Sequence, residues 1–272
     1  MIVEVAFLPL AALAVERKVC IVIDALRASA TVIAMLDAGA RAIVLAATVD
    51  QAREIAARSR ETHWLVGEVG GQPPPDFDFG NSPTEIAHAD LLARTVVFAT
   101  SNGTRALARL ATAPAVFVGS LLNGRAIAAR AHQEATRLGF DLCIVCSGDE
   151  GGTLLSLEDL VSAGVLVEWL RALEPTPLPP EDSAAALPGR VALDESALVA
   201  SRLYRSYLGP GVSPLPPDPA ALAQAFREAR HERDLIRLGY LADVAHCQTP
   251  DLSTALPLLV RQCERLAIVP AQ

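Results

Sequence analysis

Residues 19–47, VCIVIDALRASATVIAMLDAGARAIVLAA, contain a complete strand–helix–strand unit and decide the fold. Their first apolar run ends at Asp24, a short polar corner follows, and a helical stretch precedes a second apolar run. Residues 95–120 repeat this plan, and a third copy begins at residues 141–152, DLCIVCSGDEGG, before a helical stretch that starts at Ser156. Such repetition is typical of a parallel sheet covered by helices. We therefore predict an α/β fold with a mostly parallel sheet.

Helix boundaries in this region carry capping signals. A Ser or Thr stands three residues before a Gln, Glu or Asp at Thr48–Gln51, Ser82–Glu85 and Ser156–Asp159, which is the capping-box spacing. Gly39 and Gly139 stand where two helices are expected to end, because glycine readily adopts the left-handed conformation that closes a helix.

The length of 272 residues suits one large α/β domain. We predict a single domain over residues 1–272, with related halves at residues 1–92 and 93–173 and a proline-rich helical part at 174–272. Five prolines fall in residues 174–189 and five more in residues 209–220, so both stretches are expected to be surface connections. Helices are predicted between and after them, at Asp194–Leu208 and Ala220–Leu238.

The composition excludes several classes of function. A net charge of −8 without a basic run argues against a nucleic-acid or membrane-surface partner. The N-terminal residues lack the pattern of a signal peptide or a membrane span. Cys143 and Cys146 bracket two apolar residues in a predicted strand, so we interpret them as structural thiols of a cytoplasmic protein. A monomer and a homodimer both stay open.

The corner TSNGT at residues 100–104 joins a predicted buried strand to a predicted helix. Ligands of open parallel sheets bind beyond the carboxyl ends of the strands, and small residues before a helix N-terminus let the backbone approach an anion closely. A simple cap needs one such residue, whereas this corner has five, Thr100, Ser101, Asn102, Gly103 and Thr104. We therefore favour anion binding, most often of phosphate, over capping alone.

Carboxylates follow other predicted strands. Asp24 can hold Mg²⁺ or act as a base or nucleophile, and Arg27 can bind an anionic oxygen, but a local Asp24–Arg27 ion pair explains both residues equally well. Glu68 follows the apolar run WLV and opens a loop rich in glycine and proline. Asp159 is either a metal ligand or the capping partner of Ser156. Asp76 is expected to be a solvated bystander.

Standard nucleotide and hydrolase signatures are absent from the sequence. It contains no G-x-S-x-G, no Walker lysine motif and no G-x-G-x-x-G, and none of its five histidines has the spacing of a metal site or a catalytic triad.

Seven motifs in fixed order make the chain resemble the 2-phosphosulfolactate phosphatase (ComB) family. They are IDALRASAT (23–31), GEVGG (67–71), FDFGNSP (77–83), TSNGTRAL (100–107), GSLLN (119–123), CSG (146–148) and LEDLVSAG (157–164), followed by the looser LIRLGYLADVAHC (235–247). The resemblance implies a three-layer α/β/α sandwich of two related halves. It also implies Mg²⁺-dependent hydrolysis of 2-phosphosulfolactate to sulfolactate and phosphate, a step toward coenzyme M. The stretch ARHERDL (229–235) departs from the family pattern because it lacks the small residues expected there.

We assign roles to the corner residues with that reaction as a hypothesis. A highly anionic phosphate ester needs N–H donors, an arginine and a divalent cation. The proposed catalytic residues are Asp24, Arg27 and Asn102, and the proposed Mg²⁺ ligands are Asp24, Glu68 and Asp159. The proposed substrate-binding residues are Asn81, Ser82, Thr100, Ser101, Gly103, Thr104, Ser120 and Asn123.

Two alternatives stay open. One is a phosphatase for another small acidic phosphoester. The other is a binding module or isomerase like the phosphosugar-binding SIS domains, which would need neither a divalent metal nor carboxylates such as Asp24 and Glu68 at strand ends.

Overall fold

The computed structural model of the chain describes residues 1–59, 63–173, 190–262 and 265–271, so the first proline-rich stretch lies outside the described residues. Its strands are β1 (Ile2–Ala6), β2 (Lys18–Ile23), β3 (Ala42–Ala46), β4 (Trp64–Gly67), β5 (Thr95–Ala99), β6 (Ala115–Gly119), β7 (Asp141–Cys146), β8 (Ala192–Leu193), β9 (Pro257–Gln262) and β10 (Arg265–Pro270). Its helices are α1 (Ala28–Asp37), α2 (Val49–Arg58), α3 (Pro83–Ile86), α4 (Gly103–Arg109), α5 (Gly124–Leu138), α6 (Leu157–Ala172), α7 (Glu195–Ser206), α8 (Pro219–Glu228), α9 (Arg230–Arg237) and α10 (Leu241–Cys247).

The strands form one sheet in the order β4-β5-β3-β10-β9-β6-β2-β7-β1-β8. Pairing is parallel within β4-β5-β3 and within β6-β2-β7-β1-β8. Alternate residues of β2 pack into two separate cores, Val19 and Ile21 into one and Cys20 and Val22 into the other. Both faces of the sheet are therefore covered, which confirms the predicted α/β class and agrees with a three-layer sandwich.

An antiparallel hairpin of β9 and β10 lies in the middle of this sheet. β10 also pairs with β3, and β9 with β6, both antiparallel. The hairpin thus joins the two parallel groups of strands. The sequence predicts a proline-rich helical part at residues 174–272, but in the structure residues 257–262 and 265–270 of this part are strands that complete the sheet.

The capping signals are confirmed. Hydroxyl oxygens of Thr48, Ser82 and Ser156 accept hydrogen bonds from the backbone N–H groups three residues later. The predicted helix at 194–208 is present as α7, but the one predicted at 220–238 is two helices, α8 and α9, because the backbone is extended at Ala229. None of the helices in the described ranges is long and apolar enough to span a membrane.

Cys143 and Cys146 lie fully buried in β7. Burial raises the pKa of both thiols, which disfavours the reactive thiolate. The structure therefore agrees with their interpretation as small hydrophobic residues of the core.

Candidate active site

A cavity of about 320 Å³ opens at the carboxyl ends of β2, β4 and β5. The loop after β7 and helix α9 form its remaining walls. Seven residues singled out from the sequence line it together: Asp24, Arg27, Glu68, Asn81, Thr100, Ser101 and Asn102. The structure thus brings three separate corners of the chain into one site, as expected for a sheet of this kind.

Gly103 lets two of these corners meet. A Cβ atom at this position would lie 2.9 Å from Asp24 Oδ2 and 3.0 Å from Ala28 Cβ, both closer than an ordinary van der Waals contact. The strands that precede the two corners, β5 and β2, are separated by four other strands in the sheet order. The glycine in TSNGT therefore permits a close approach between strand ends that are not neighbours.

Asp24 lies directly after β2 and is only 7% exposed. Its Oδ1 accepts a hydrogen bond from the Ala28 backbone N–H at 3.3 Å, and the Asp24 backbone N–H donates to Ser29 Oγ at 2.9 Å. Burial raises the pKa of Asp24 to about 6, and the Glu68 carboxylate adds to the rise while His231 opposes it. A carboxylate that burial makes costly to ionise is stabilised by a nearby cation.

Arg27 is 2% exposed, and its ion-pair partner is Asp243, with Nη1 2.6 Å from Oδ2. Nη2 donates to the Gly71 carbonyl at 2.9 Å, and the guanidinium lies 3.9 Å from the centre of the Tyr240 ring. Arg27 therefore does not form the local ion pair with Asp24 that the sequence also allowed. Its partner, Asp243, lies 216 residues away in the chain. Since these contacts use two of the five guanidinium N–H donors, others stay available to an anion.

Glu68 ties its own loop to the TSNGT corner. Its Oε2 accepts a hydrogen bond from the Gly71 backbone N–H at 2.9 Å, and its Oε1 accepts one from the Ser101 backbone N–H at 2.7 Å. Each carboxylate oxygen has a second lone pair. Glu68 can therefore hold these two backbone segments together and still face a cation in the cavity.

Asn81 lines the cavity and has an unsatisfied acceptor. The residue is 6% exposed, and its Oδ1 is buried without a hydrogen-bond partner among the described residues. Leaving such a group unpaired costs about 1–3 kcal/mol. An unpaired oxygen on a residue of the cavity lining is therefore a group that a bound donor or cation would stabilise.

Asn102 holds the loop after β7 against the cavity. Its Oδ1 accepts a hydrogen bond from the Gly151 backbone N–H at 2.7 Å. On its other side the loop is fixed to α9, because Arg230 Nη2 lies 2.5 Å from Asp149 Oδ2. The amide oxygen of Asn102 is thus occupied, which leaves its NH₂ group as a donor for a ligand.

Asp159 lies beneath the cavity and does not line it. Its Oδ1 accepts a hydrogen bond from Ala25 N, and its Oδ2 accepts from Gly148 N and Ser147 Oγ, at 2.8–3.2 Å. Burial and the neighbouring Asp24 carboxylate raise the pKa of Asp159 well above its ordinary value. Asp159 thus joins two corners of the site from below, and the metal role expected from the sequence stays a prediction.

Ser120 and Asn123 also lie away from the cavity lining. They form a reciprocal capping box around the 3₁₀ turn Leu121–Asn123, and Asn123 Nδ2 donates to the Ala255 carbonyl at 2.9 Å. Their side chains are occupied by local structure. The structure thus places these two residues, expected from the sequence to bind substrate, outside the cavity lining.

Ser82, Gly103 and Thr104 support the cavity from behind. Ser82 Oγ caps α3 and donates to Asp243 Oδ1 at 2.8 Å, which fixes the carboxylate that holds Arg27. Thr104 Oγ1 donates to the Thr100 carbonyl at 2.9 Å. Ser82 thus acts on the lining residue Arg27 through Asp243, and Thr104 acts directly on the lining residue Thr100.

Five charged or polar wall residues were not candidates from the sequence: Asp149, Glu150, Arg230, His231 and Asp234. Three of them belong to the stretch ARHERDL, which the break at Ala229 turns toward the cavity. The density of charge in that stretch is the signal that could have found these three, and the corner after the predicted strand in residues 141–152 holds the other two. With them, the lining holds five carboxylates and two guanidinium groups. In the described part of the chain, no three His, Cys, Asp or Glu side chains are grouped so as to hold a metal ion by themselves.

A family model and individual proteins that match this chain carry the same description. A family model described as 2-phosphosulpholactate phosphatase matches residues 9–262 of this chain. A Thermus thermophilus protein named probable 2-phosphosulfolactate phosphatase is 36% identical over 242 residues, which cover 89% of this chain and 87% of that protein. A Deinococcus radiodurans protein of the same name is 34% identical over 246 residues, which cover 89% of this chain and 88% of that protein. The matches span the corners that form the cavity, and the chain therefore belongs to the 2-phosphosulpholactate phosphatase family.

Proposed function

We propose that the protein is a Mg²⁺-dependent phosphatase that hydrolyses 2-phosphosulfolactate to sulfolactate and inorganic phosphate. The observation that carries the proposal is a cavity in which oxygen donors from the ends of β2 and β4 stand beside a buried arginine. The names of the relatives suggest the substrate, and the charges of the cavity supply the physical reason for a cation.

The cavity requires added positive charge to bind such a substrate. Its five lining carboxylates outnumber its two guanidinium groups, and the substrate itself carries phosphate, sulfonate and carboxylate groups. Like charges in a concave, poorly solvated site repel strongly. A divalent cation bound with the substrate removes that repulsion.

Asp24, Glu68 and Asn81 fit Mg²⁺ by the chemistry of their donors. Mg²⁺ prefers oxygen ligands and is usually held by one or two carboxylates, with water and substrate phosphate completing its shell. The unpaired Oδ1 of Asn81 and the buried carboxylate of Asp24 are both atoms that a cation would stabilise. When bound, the ion would neutralise charge that develops on the phosphoryl oxygens.

Arg27, Asn102 and the hydroxyl groups of Thr100 and Ser101 would bind the phosphoryl group. Arg27 is held in place from three sides, by Asp243, by the Gly71 carbonyl and by the ring of Tyr240. Phosphoryl transfer depends mainly on positioning and on stabilisation of charge, so a guanidinium that is fixed before the substrate arrives suits the reaction.

The test of this function is phosphate release from a panel of phosphoesters in the presence of Mg²⁺. We expect kcat/KM to be highest for 2-phosphosulfolactate and lower for 2-phospholactate, phosphoglycolate and glucose 6-phosphate. If kcat/KM were higher for another acidic phosphoester, that compound would be assigned as the substrate instead of 2-phosphosulfolactate. Isomerisation of a phosphosugar without phosphate release would contradict the proposal and support a SIS-type module.

Asn102→Ala is expected to lower kcat/KM by roughly 10- to 150-fold, because losing a donor to a charged ligand costs about 1.5–3 kcal/mol. Inorganic phosphate should also raise the melting temperature of this variant less than that of the wild type. Ser120→Ala is the matched control, since it removes a cap outside the cavity. It should cost about 1 kcal/mol of stability and leave KM and phosphate protection unchanged. Wild-type kcat/KM in the Asn102 variant would contradict its assignment.

A further inference from the structure

The proposed reaction needs a proton donor in addition to the residues proposed to bind the metal and the phosphoryl group. When the P–O bond of an alkyl phosphate breaks, the ester oxygen leaves as a strongly basic alkoxide unless it is protonated. A positioned general acid typically contributes 10²–10⁴-fold to such a step. Guanidinium groups bind anions but are not general acids in proteins, so the donor must be another residue.

His231 is placed to be the donor. The extended residue Ala229 separates α8 from α9 and brings His231, in the first turn of α9, into the cavity wall. Its imidazole is 28% exposed, and its Nδ1 lies 3.7 Å from Oε1 of Glu158, whose side chain is 3% exposed. This distance is longer than a hydrogen bond, so Glu158 acts on the ring by electrostatic attraction, and Nε2, on the opposite side of the ring, is left for a ligand.

Charged groups from the elements packed around the His231 imidazole lie near this ring. They are Glu158 on α6, Asp24 at the end of β2, Asp149 in the loop after β7, and Arg230 and Asp234 on α9 itself. Arg230 is paired with Asp149 and Glu150. Carboxylates of α6, of the end of β2 and of α9 therefore lie around the ring.

We propose that His231, oriented by Glu158, is the general acid that protonates the leaving ester oxygen, an inference that rests on the proposed phosphatase function. The oxygen of a water molecule bonds to phosphorus while the ester P–O bond breaks. The electron pair of that bond goes to the ester oxygen, which takes the proton from His231 Nε2. The attacking water gives up one proton, which restores the imidazolium, so one water is consumed for each alcohol and phosphate formed.

The experiment compares two substrates that differ in one atom, 2-phosphosulfolactate and its analogue with sulfur in the bridging position. A thiolate is a weak base and leaves without a proton, so the analogue does not need the general acid. For His231→Gln we expect kcat on the oxygen ester to fall by about 100-fold or more, and kcat on the sulfur ester to fall less than about fivefold. For Glu158→Gln we expect a smaller loss on the oxygen ester and none on the sulfur ester.

Two further variants are controls. His88→Gln replaces an exposed histidine outside the cavity and should leave both rates unchanged, whereas Asp24→Asn should lower both. Melting temperatures establish that each variant is folded. Equal losses on the two esters, or no loss on either, in folded His231→Gln would contradict the general-acid role. A wild-type protein that cleaves neither ester would contradict the proposed function itself.

Discussion

Asp24→Asn is expected to lower kcat for phosphate release by on the order of a thousandfold while the protein still folds. The substitution keeps the size of the side chain and an acceptor for the Ala28 backbone N–H, but it removes the charge that would hold the metal. Asp76→Asn is the matched control, because Asp76 is half exposed and forms a surface ion pair with Arg53. Surface pairs contribute little, so this control should keep wild-type turnover.

Asp24→Asn should also be more stable against unfolding than the wild type in metal-free buffer at pH 7.5. Burial raises the pKa of Asp24 from 3.8 in a model peptide to about 6 in the folded protein, so the folded state binds the proton more tightly than the unfolded state. The wild type therefore loses stability as the pH rises from about 4 to about 6, by up to about 3 kcal/mol. Asp24→Asn lacks this loss, and the two proteins should converge below pH 4. Near-normal turnover combined with earlier unfolding would instead show that Asp24 is structural.

Arg27→Met is expected to lower the free energy of unfolding by about 3–5 kcal/mol and to abolish most phosphate release. The substitution leaves the Asp243 carboxylate, which is 1% exposed, without its positive partner. Removing one member of a buried ion pair carries a cost of this size because the other charge stays buried and unpaired. Urea unfolding and steady-state kinetics measure the two effects separately.

The double variant Arg27→Met with Asp243→Asn separates packing from substrate binding. Without the unpaired charge, we expect most of the lost stability to return, since neutral replacements of buried ion pairs are often tolerated. Phosphate release should stay low, because the guanidinium that would bind a phosphoryl oxygen is still absent. Recovery of both properties would make Arg27 a purely structural residue.

The strand–corner–helix units were predictable because each is local. An apolar run that stops at Asp24 or Glu68 marks the end of a buried strand, and a capping residue such as Ser156 marks the start of the next helix. The central hairpin was not predictable in the same way. Its strands are short apolar runs near the end of the chain, and their antiparallel pairing with β3 and β6 depends on contacts more than a hundred residues apart in sequence.

In the site, too, residues at the strand ends were predictable from local sequence, whereas their partners from distant parts of the chain were not. Arg27 was predicted to face the site, but its partner Asp243 and the wall residue His231 come from helices more than 200 residues later. Ser120 and Asn123 follow a strand just as Thr100 and Ser101 do, yet they close a local capping box. Polar residues at a strand end can satisfy the backbone or a ligand, and sequence alone does not distinguish these uses.

The most direct test of the account is phosphate release from 2-phosphosulfolactate by the wild-type protein, first after exhaustive chelation and then after Mg²⁺ is restored. The cavity carries more carboxylates than cationic groups, so we expect release to stop on chelation and to return with Mg²⁺ or a substitute such as Mn²⁺. In Asp24→Asn, restored Mg²⁺ should not bring release back. Full activity of the wild type after chelation would contradict the metal-dependent site proposed here.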